Sequence, residues 1–221
     1  MNDPFEDTNR ALHAFNRSFD RAAARPVSLA YGAVVPMPIR QGVNNFSSNL
    51  GMPNTIINNT LQGDLDSAAT NTGRFLVNST FGLLGFFDPS ASMGVPENET
   101  DFGETLYVWG VNEGPFLELP FLGPSNRRDA VGKIVDVALN PLNYIFDRSV
   151  LNYTRGAAVA SGADSRYRFT DTIDSVLYES ADSYAQSRLI YLQNRRFELG
   201  QSAPQTSSTT SEDLLDDLYF E

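Results

Sequence analysis

Histidine and cysteine, the side chains that most often carry proton transfer, metal ligation and nucleophilic attack, are nearly missing here. His13 is the only histidine and no cysteine is present. The lack of thiols excludes disulfides, thiolate metal sites and cysteine nucleophiles together. His13 follows Leu12 in a helical pattern near the N-terminus, where a structural role is expected rather than proton transfer. No Gly-x-Ser-x-Gly elbow, Walker-type phosphate loop or Gly-x-Gly-x-x-Gly run occurs. Asp101-Phe102-Gly103 spells the kinase magnesium tripeptide, but the catalytic and glycine-rich loops that must accompany it are absent, so chance explains it better. The carboxylate pairs Asp64/Asp66 and Asp216/Asp217 could hold a divalent cation or divide acid and base work. Neither has calcium-loop spacing, and capping or solvation is the expected role. Asn-x-Ser/Thr triplets at Asn58 and Asn78 are too frequent by chance to carry weight. The chain is therefore expected not to be an enzyme and to hold neither metal nor cofactor.

Net charge is -11, which argues against nucleic acid and against electrostatic adsorption to anionic lipid, since both want a basic face. Lys133 is the only lysine among 16 basic residues. Arginine grips phosphate or carboxylate bidentately and rests its stem on apolar surface, which suits headgroup contact; a GC-rich genome accounts for the bias equally well. No charged n-region and apolar h-region precede Asn2, so either the chain is cytosolic or a processed segment lies upstream of Met1.

At 221 residues the chain can bury a core without cross-links. Asp3-Pro4-Phe5-Glu6 has the form of a helix start, with Asp3 as cap and Glu6 reaching back. Phe5, Leu12, Phe15 and Phe19 then form one apolar stripe, with Arg10, Arg17 and Arg21 off it, and the helix is expected to end near Arg25-Pro26. Ile39, Val43, Phe46 and Leu50 mark a second helix with Gly51 as its terminator. Pro53 can open the next, so 39–50 and 53–61 are expected to form a tight antiparallel hairpin. Gly63-Asp64 repeats the stop and start. A short irregular strap or hairpin is expected near 114–124, where prolines bound Phe116 to Leu122. Ser125 caps a helix closed by Pro141, and helical stretches follow at about 144–160 and 172–199. Residues 1–199 read as one helical domain. Residues 200–221 read as a disordered acidic tail with five acids and no base, leaving about -6 on the body.

Phe75 to Phe87 is the most membrane-like run. It is too short to cross a bilayer, which takes about 20 apolar residues. Asn78, Ser79 and Thr80 interrupt it, Gly82 and Gly85 permit irregular backbone, and Asp88-Pro89 ends it. From the run alone, an ordinary core helix end is the simpler account.

Many separate words, in register over residues 2–199, resemble the MlaA (VacJ) lipoproteins. They include Asn2-Asp-Pro-Phe-Glu-Asp-x-Asn-Arg10, Val35-Pro-x-Pro-x-Arg40, Asn45-Phe46 with Asn49-Leu50, Leu61-Gln-Gly-Asp64, Arg74-Phe75 and Asn78-Ser-Thr80. In the second half they are Asp101-Phe-Gly-x-Thr-Leu106, Trp109-Gly-Val, Leu119-Pro120, Gly123-Pro-Ser125, Arg128-Asp129, Asp182-x-Tyr184, Arg188, Tyr191-x-Gln193 and Arg195. The resemblance implies an all-α, ring-like single domain of amphipathic helices around a central polar channel, set in the periplasmic side of the outer membrane of a Gram-negative bacterium. It implies passive removal of phospholipids from the outer leaflet for transfer to a soluble periplasmic lipid carrier, with trimeric porins as membrane partners. Two departures stand out. The acylated cysteine of the family is absent from this chain, so an anchor would have to lie upstream of Met1. Ser183 also stands where Asp-Pro-Tyr is common, which bears on the start of the last helix.

Under that resemblance Gly42, Asn45, Phe46, Asn49, Leu50 and Gly51 are expected to form an access-controlling hairpin, with the glycines as hinges. Arg40 and Arg74 are expected headgroup contacts, with structural pairing as the competing role. Phe75, Phe81, Leu83, Leu84, Phe86 and Phe87 are expected to face the membrane. The alternative is a helical adaptor at the outer membrane whose main act is to bind porin or another protein. A soluble lipid hydrolase is disfavoured by the lone histidine.

Overall fold

The computed structural model describes residues 3–201. Several of its helices start where short side chains accept hydrogen bonds from otherwise free amides. Asp64 accepts from Ser67 N, Asp101 from Glu104 N, Asn126 from Asp129 N and Asp182 from Ala185 N. Each such cap contributes about 1 kcal/mol. The elements are α1 (Glu6–Phe19), α2 (Arg25–Val34), α3 (Met37–Gln62), α4 (Leu65–Thr80), α5 (Pro89–Ser92) and α6 (Phe102–Val108). Strands β1 (Phe116–Leu119) and β2 (Gly123–Asn126) follow, then α7 (Arg127–Leu139), α8 (Leu142–Ile145), α9 (Arg148–Arg168), α10 (Thr170–Asp174) and α11 (Ser183–Glu198). The strands pair antiparallel, Phe116 opposite Asn126 and Leu119 opposite Gly123, which gives the small hairpin expected near 114–124. The expected acidic tail lies outside the described residues from 202 onward.

Several local expectations are corrected. The helical hairpin at 39–50 and 53–61 is one helix, α3, running through Gly51 and Pro53. Gly51 is exposed and keeps an ordinary helical backbone, while Asn49, Met52, Asn58 and Asn59 are buried along the helix, so packing holds it straight through a residue that lacks an amide proton. The turn lies instead at Gly63, whose φ of 80° ends α3 before Asp64 starts α4, and α3 and α4 form the antiparallel pair. Nor does the first helix stop at Pro26. A π turn over Asp20–Ala24 joins α1 to α2 without a break, and Pro26, which has no N–H to give to the ladder, follows directly after it. Asp3 does not cap α1; it accepts from Asn9 at 2.9 Å and from Tyr184 and Arg188 on α11. Asn126, not Ser125, caps α7, which ends at Leu139 with Asn140 as its cap, immediately before Pro141. The stretches expected at 144–160 and 172–199 are α9 and, after α10 and a second π turn at Ser175–Glu179, α11. That last helix starts at Ser183 behind the Asp182 cap, so the departure from the family pattern leaves its start intact.

The elements close a circuit: α3 packs on α6, α6 on α7, α7 on the hairpin, β2 on α11, α11 on the second π turn after α10, α10 on α9, and α9 back on α3. Burial is inverted relative to an ordinary helical core. Among the described residues twenty buried side chains are polar or charged and seven are apolar, while many large apolar side chains face outward. The circuit is tied from inside by hydrogen-bonded asparagines and ion pairs. Asn54 and Asn58 donate to Asp136 at 2.8 and 2.9 Å, and Asn71 donates to Asn59 at 2.9 Å.

Candidate functional site

The apolar run becomes an exposed, hydrogen-bonded tip. After α4 ends at Thr80, Leu83, Leu84 and Gly85 take left-handed φ values of 52°, 60° and 92° in succession. That conformation costs about 1–2 kcal/mol per residue bearing a Cβ, so it persists only where contacts fix it. Gly85 N donates to Asn78 O at 2.8 Å, Leu84 N to Ser79 O at 3.1 Å and Phe87 N to Gly82 O at 2.8 Å. From α3, Asn49 Nδ2 donates to Ser79 Oγ at 3.0 Å and to Leu84 O at 3.3 Å, and Asn45 Nδ2 donates to Phe86 O at 3.3 Å. Gly42 leaves room for the Phe86 ring. The loop therefore turns its apolar side chains outward, Phe81 80% exposed, Leu84 69%, Leu83 66% and Phe87 55%. Of the six residues expected to face the membrane, these four form the tip. Phe75 is half-buried on α4, and Phe86 turns inward onto α3.

Arg74 underpins the tip. Only 3% exposed, it donates to Asp88 Oδ2 at 2.8 Å and to the Val95 carbonyl, and Asn78 donates to Asp88 Oδ1 at 2.9 Å. Burial pushes the Asp88 carboxyl up, but the capping amide of Ala91, Asn78 and Arg74 outweigh it and hold the pKa below its ordinary value. Arg40 is committed as well. It pairs with the buried Asp164 on α9, donates to Val35 O at 3.0 Å and stands 4.9 Å from the centre of the Tyr167 ring. Both arginines thus close helix junctions, and the competing structural role describes their geometry.

Leu50 and Gly51 face a different feature, an open groove of about 390 Å³ between α3, α7, α8 and α9. Asn140, Asn143, Thr154 and Arg155 supply its polar side, and Leu142, Leu151 and Ala158 its apolar side. Arg155 is exposed and, among the described residues, has no carboxylate within 4 Å. It is the arginine the sequence did not single out. Its position with Leu151 and Ala158 on one helical face is legible from the spacing, but its closeness to Leu50, about a hundred residues earlier, is not. Phe46, also expected in the gate, is half-buried on α3.

Two further ion clusters are buried between the elements. Arg195 on α11 donates to Asp129 Oδ2 at 3.0 Å and to Asp101 Oδ1 at 2.6 Å, and Tyr191 donates to Asp129 Oδ2 at 2.6 Å. Gly103 and Gly132 pack backbone to backbone beside them, so that a Cβ on Gly132 would lie 2.4 Å from Gly103 N. Arg166 on α9 ties the first π turn to the end of α10, bidentate to Asp20 at 2.9 Å and bonded to Asp174 at 2.5 Å. His13 is buried, its Nε2 3.0 Å from Ser183 Oγ and its Nδ1 3.5 Å from Glu118, in the structural setting expected of it. Among the described residues no group of three or more His, Cys, Asp or Glu side chains is placed to hold a metal ion. No helix among them is long and apolar enough to cross a membrane.

The MlaA lipoprotein family model matches residues 1–198. The intermembrane phospholipid transport system lipoprotein MlaA of Escherichia coli K12 is 34% identical over 200 residues, covering 88% of this chain and 77% of that protein. The Haemophilus influenzae protein of the same description is 32% identical over 204 residues, covering 90% and 79%. An uncharacterised protein of Rickettsia felis is 35% identical over 187 residues, covering 84% and 73%. A structure solved in work on the structural basis for maintenance of bacterial outer membrane lipid asymmetry superposes with a TM-score of 0.73 at 31% identity, covering 90% of this chain and all of that one. A family match over nearly the whole described body, with relatives above 30% identity and the same fold, settles the affiliation: this chain belongs to the MlaA lipoprotein family.

Proposed function

We propose that this protein maintains the lipid asymmetry of the outer membrane by removing phospholipids from its outer leaflet. The observation that carries this reading is the inverted distribution of polarity: asparagines and ion pairs inside a closed circuit of helices, large apolar side chains outside, and an exposed tip at 81–87. A ring of that kind lies in the membrane without spanning it, because its exposed apolar surface replaces water with acyl chains at about 25 cal/mol per Å² and its helices satisfy most of their backbone polar groups internally. The groove beside Leu50, Gly51 and Arg155 offers an amphiphilic passage in which Arg155 meets the phosphate while Leu142 and Leu151 meet the chains. Transport is passive, and its direction follows the lipid gradient. The extracted lipid passes to a soluble carrier in the periplasm, and a trimeric porin holds the ring in the membrane; both partners are part of this proposal.

The test uses Gram-negative cells that lack their own family member and express this chain. Surface phosphatidylethanolamine, read with a membrane-impermeant amine reagent, should fall to the level of wild-type cells. An unchanged surface signal with normally localised protein would favour the adaptor reading instead.

A further inference from the structure

Arg17 and Glu118 line one cavity of about 400 Å³ between α1, the β hairpin and the segment from α10 to α11, and the established contacts leave part of each unused. Glu118 is 3% exposed. Its Oε1 accepts from Asn16 Nδ2 at 2.9 Å, but its Oε2 is buried with no hydrogen-bond partner among the described residues. An unsatisfied buried carboxylate oxygen is costly, and calls for a donor that is absent from the protein itself. Arg17 is half-buried beside the Tyr178 ring, 5.6 Å from its centre, with Arg21 at 4.8 Å from the same ring. Neither arginine has a carboxylate within 4 Å among the described residues, whereas Asp20 in the same cavity is already taken by Arg166 and Tyr178. Arg17 also opens onto an adjoining groove with Arg10, Arg21 and the Ser18 and Ser180 hydroxyls. On the outer rim Phe121 meets Phe15 and Phe19 edge to face at 5.2 and 5.0 Å, and Phe121 and Leu122 are exposed.

We propose that this cavity is a headgroup pocket for a zwitterionic aminophospholipid, with Glu118 Oε2 accepting from the primary ammonium and Arg17, supported by Arg21, binding the phosphate. This inference rests on the function proposed above and names the lipid class it prefers. The chemistry selects phosphatidylethanolamine over phosphatidylglycerol, because glycerol brings no cation to a buried carboxylate. The aromatic rim leaves the acyl chains on the apolar exterior while the headgroup enters.

The test equilibrates purified protein in detergent with vesicles of equal phosphatidylethanolamine and phosphatidylglycerol and counts the recovered lipid by mass spectrometry. Wild-type protein should enrich phosphatidylethanolamine about tenfold, the effect of one well-placed charged hydrogen bond. Glu118→Gln keeps an oxygen for Asn16 and should bring the ratio to that of the vesicle. Arg17→Gln should lower capture of both lipids alike. Soluble glycerophosphoethanolamine should compete and glycerophosphoglycerol should not, which separates headgroup recognition from capture by the apolar rim and needs no variant. Equal capture of the two lipids by wild type, or enrichment that survives in Glu118→Gln, overturns the pocket. The surface-labelling experiment stands apart: a normal surface signal with no headgroup preference removes this inference and leaves the function, whereas an uncorrected surface signal removes the function.

Discussion

The Phe86 ring occupies the space a side chain would take at Gly42: a Cβ there would lie 2.1 Å from Phe86 Cζ and 2.4 Å from Cε1 and Cε2. Gly42 is thus a seat for the ring, and the left-handed run at Leu83 to Gly85 depends on it. Gly42→Ala should unseat Phe86 and cost about 1–3 kcal/mol, the usual penalty of overpacking. Hydrogen exchange checks this locally. Amides of Leu84, Gly85 and Phe87 should lose protection, while those of α9 and α11 keep theirs.

Leu84→Asp tests what the tip is for. Leu84 is 69% exposed with a φ of 60°, a conformation aspartate tolerates better than leucine, so the melting temperature in detergent should hold or rise slightly. Partition into phospholipid vesicles should weaken at least about tenfold, since inserting one leucine contributes roughly 1.5–3 kcal/mol. A drop in melting temperature with partition unchanged would return the segment to the role of a core helix end.

Much of this was legible from spacing alone. The Gly63-Asp64 turn, the irregular backbone around Gly82 and Gly85, and the hairpin near Phe116 follow from backbone chemistry that acts within a few residues. What escaped was long-range. Gly51 and Pro53 read as a break because their propensities are local, and only the burial of Asn49, Met52 and Asn58 against neighbouring elements keeps α3 whole. The sequence leaves Arg40 and Arg74 between headgroup contact and structural pairing because Asp164 and Asp88 are distant or unremarkable in sequence, and Arg155 goes unnoticed because nothing local marks its place beside Leu50. An inverted core has this consequence generally: its partners are polar pairs, which leave no periodic stripe to read.

The buried ion clusters set a pH dependence. Burial raises the Asp129 carboxyl, but Tyr191 and Arg195 outweigh it and the pKa lies below its ordinary value; Asp20 and Asp164 are lowered in the same balance. A carboxylate depressed in the fold contributes stability that is fully present above its unfolded pKa of about 4 and is lost as pH falls through the folded value. Melting temperature should therefore be flat with respect to these groups from pH 7 to 5 and fall steeply below about 4. Asp129→Asn leaves Arg195 with one fewer buried carboxylate and should cost about 3–5 kcal/mol at pH 7, with a shallower acid slope. A slope identical to wild type would assign acid sensitivity elsewhere.

Deleting Asn45 and Phe46 tests α3 as a ruler. Because the helix is continuous, loss of two residues turns the part beyond them by about 200° and draws it in by about 3 Å. Gly42 and Asn49 then no longer meet Phe86 and Leu84 from one face. The tip is released and access to the groove deregulated, while the clusters around Asp129 and Arg166 persist. Surface labelling of phosphatidylethanolamine should depart from wild type with the protein still folded by circular dichroism. A wild-type surface signal would show that the clip between α3 and the tip has no part in transport.

Arg155 distinguishes a passage from a crevice. Since it is exposed and unpaired among the described residues, Arg155→Glu should change the melting temperature little, within the roughly 0.5 kcal/mol usual for surface positions. If phosphate travels past Leu50 and Gly51, the reversed charge repels it just where the groove carries no other cation, and outer-leaflet phospholipid should rise toward the level of cells lacking the protein. Arg155→Lys keeps the charge but loses the fork, so it should retain most of the activity. Normal surface lipid in Arg155→Glu cells would move the route out of this groove, and the cavity holding Glu118 and Arg17 would be the next place to look for it.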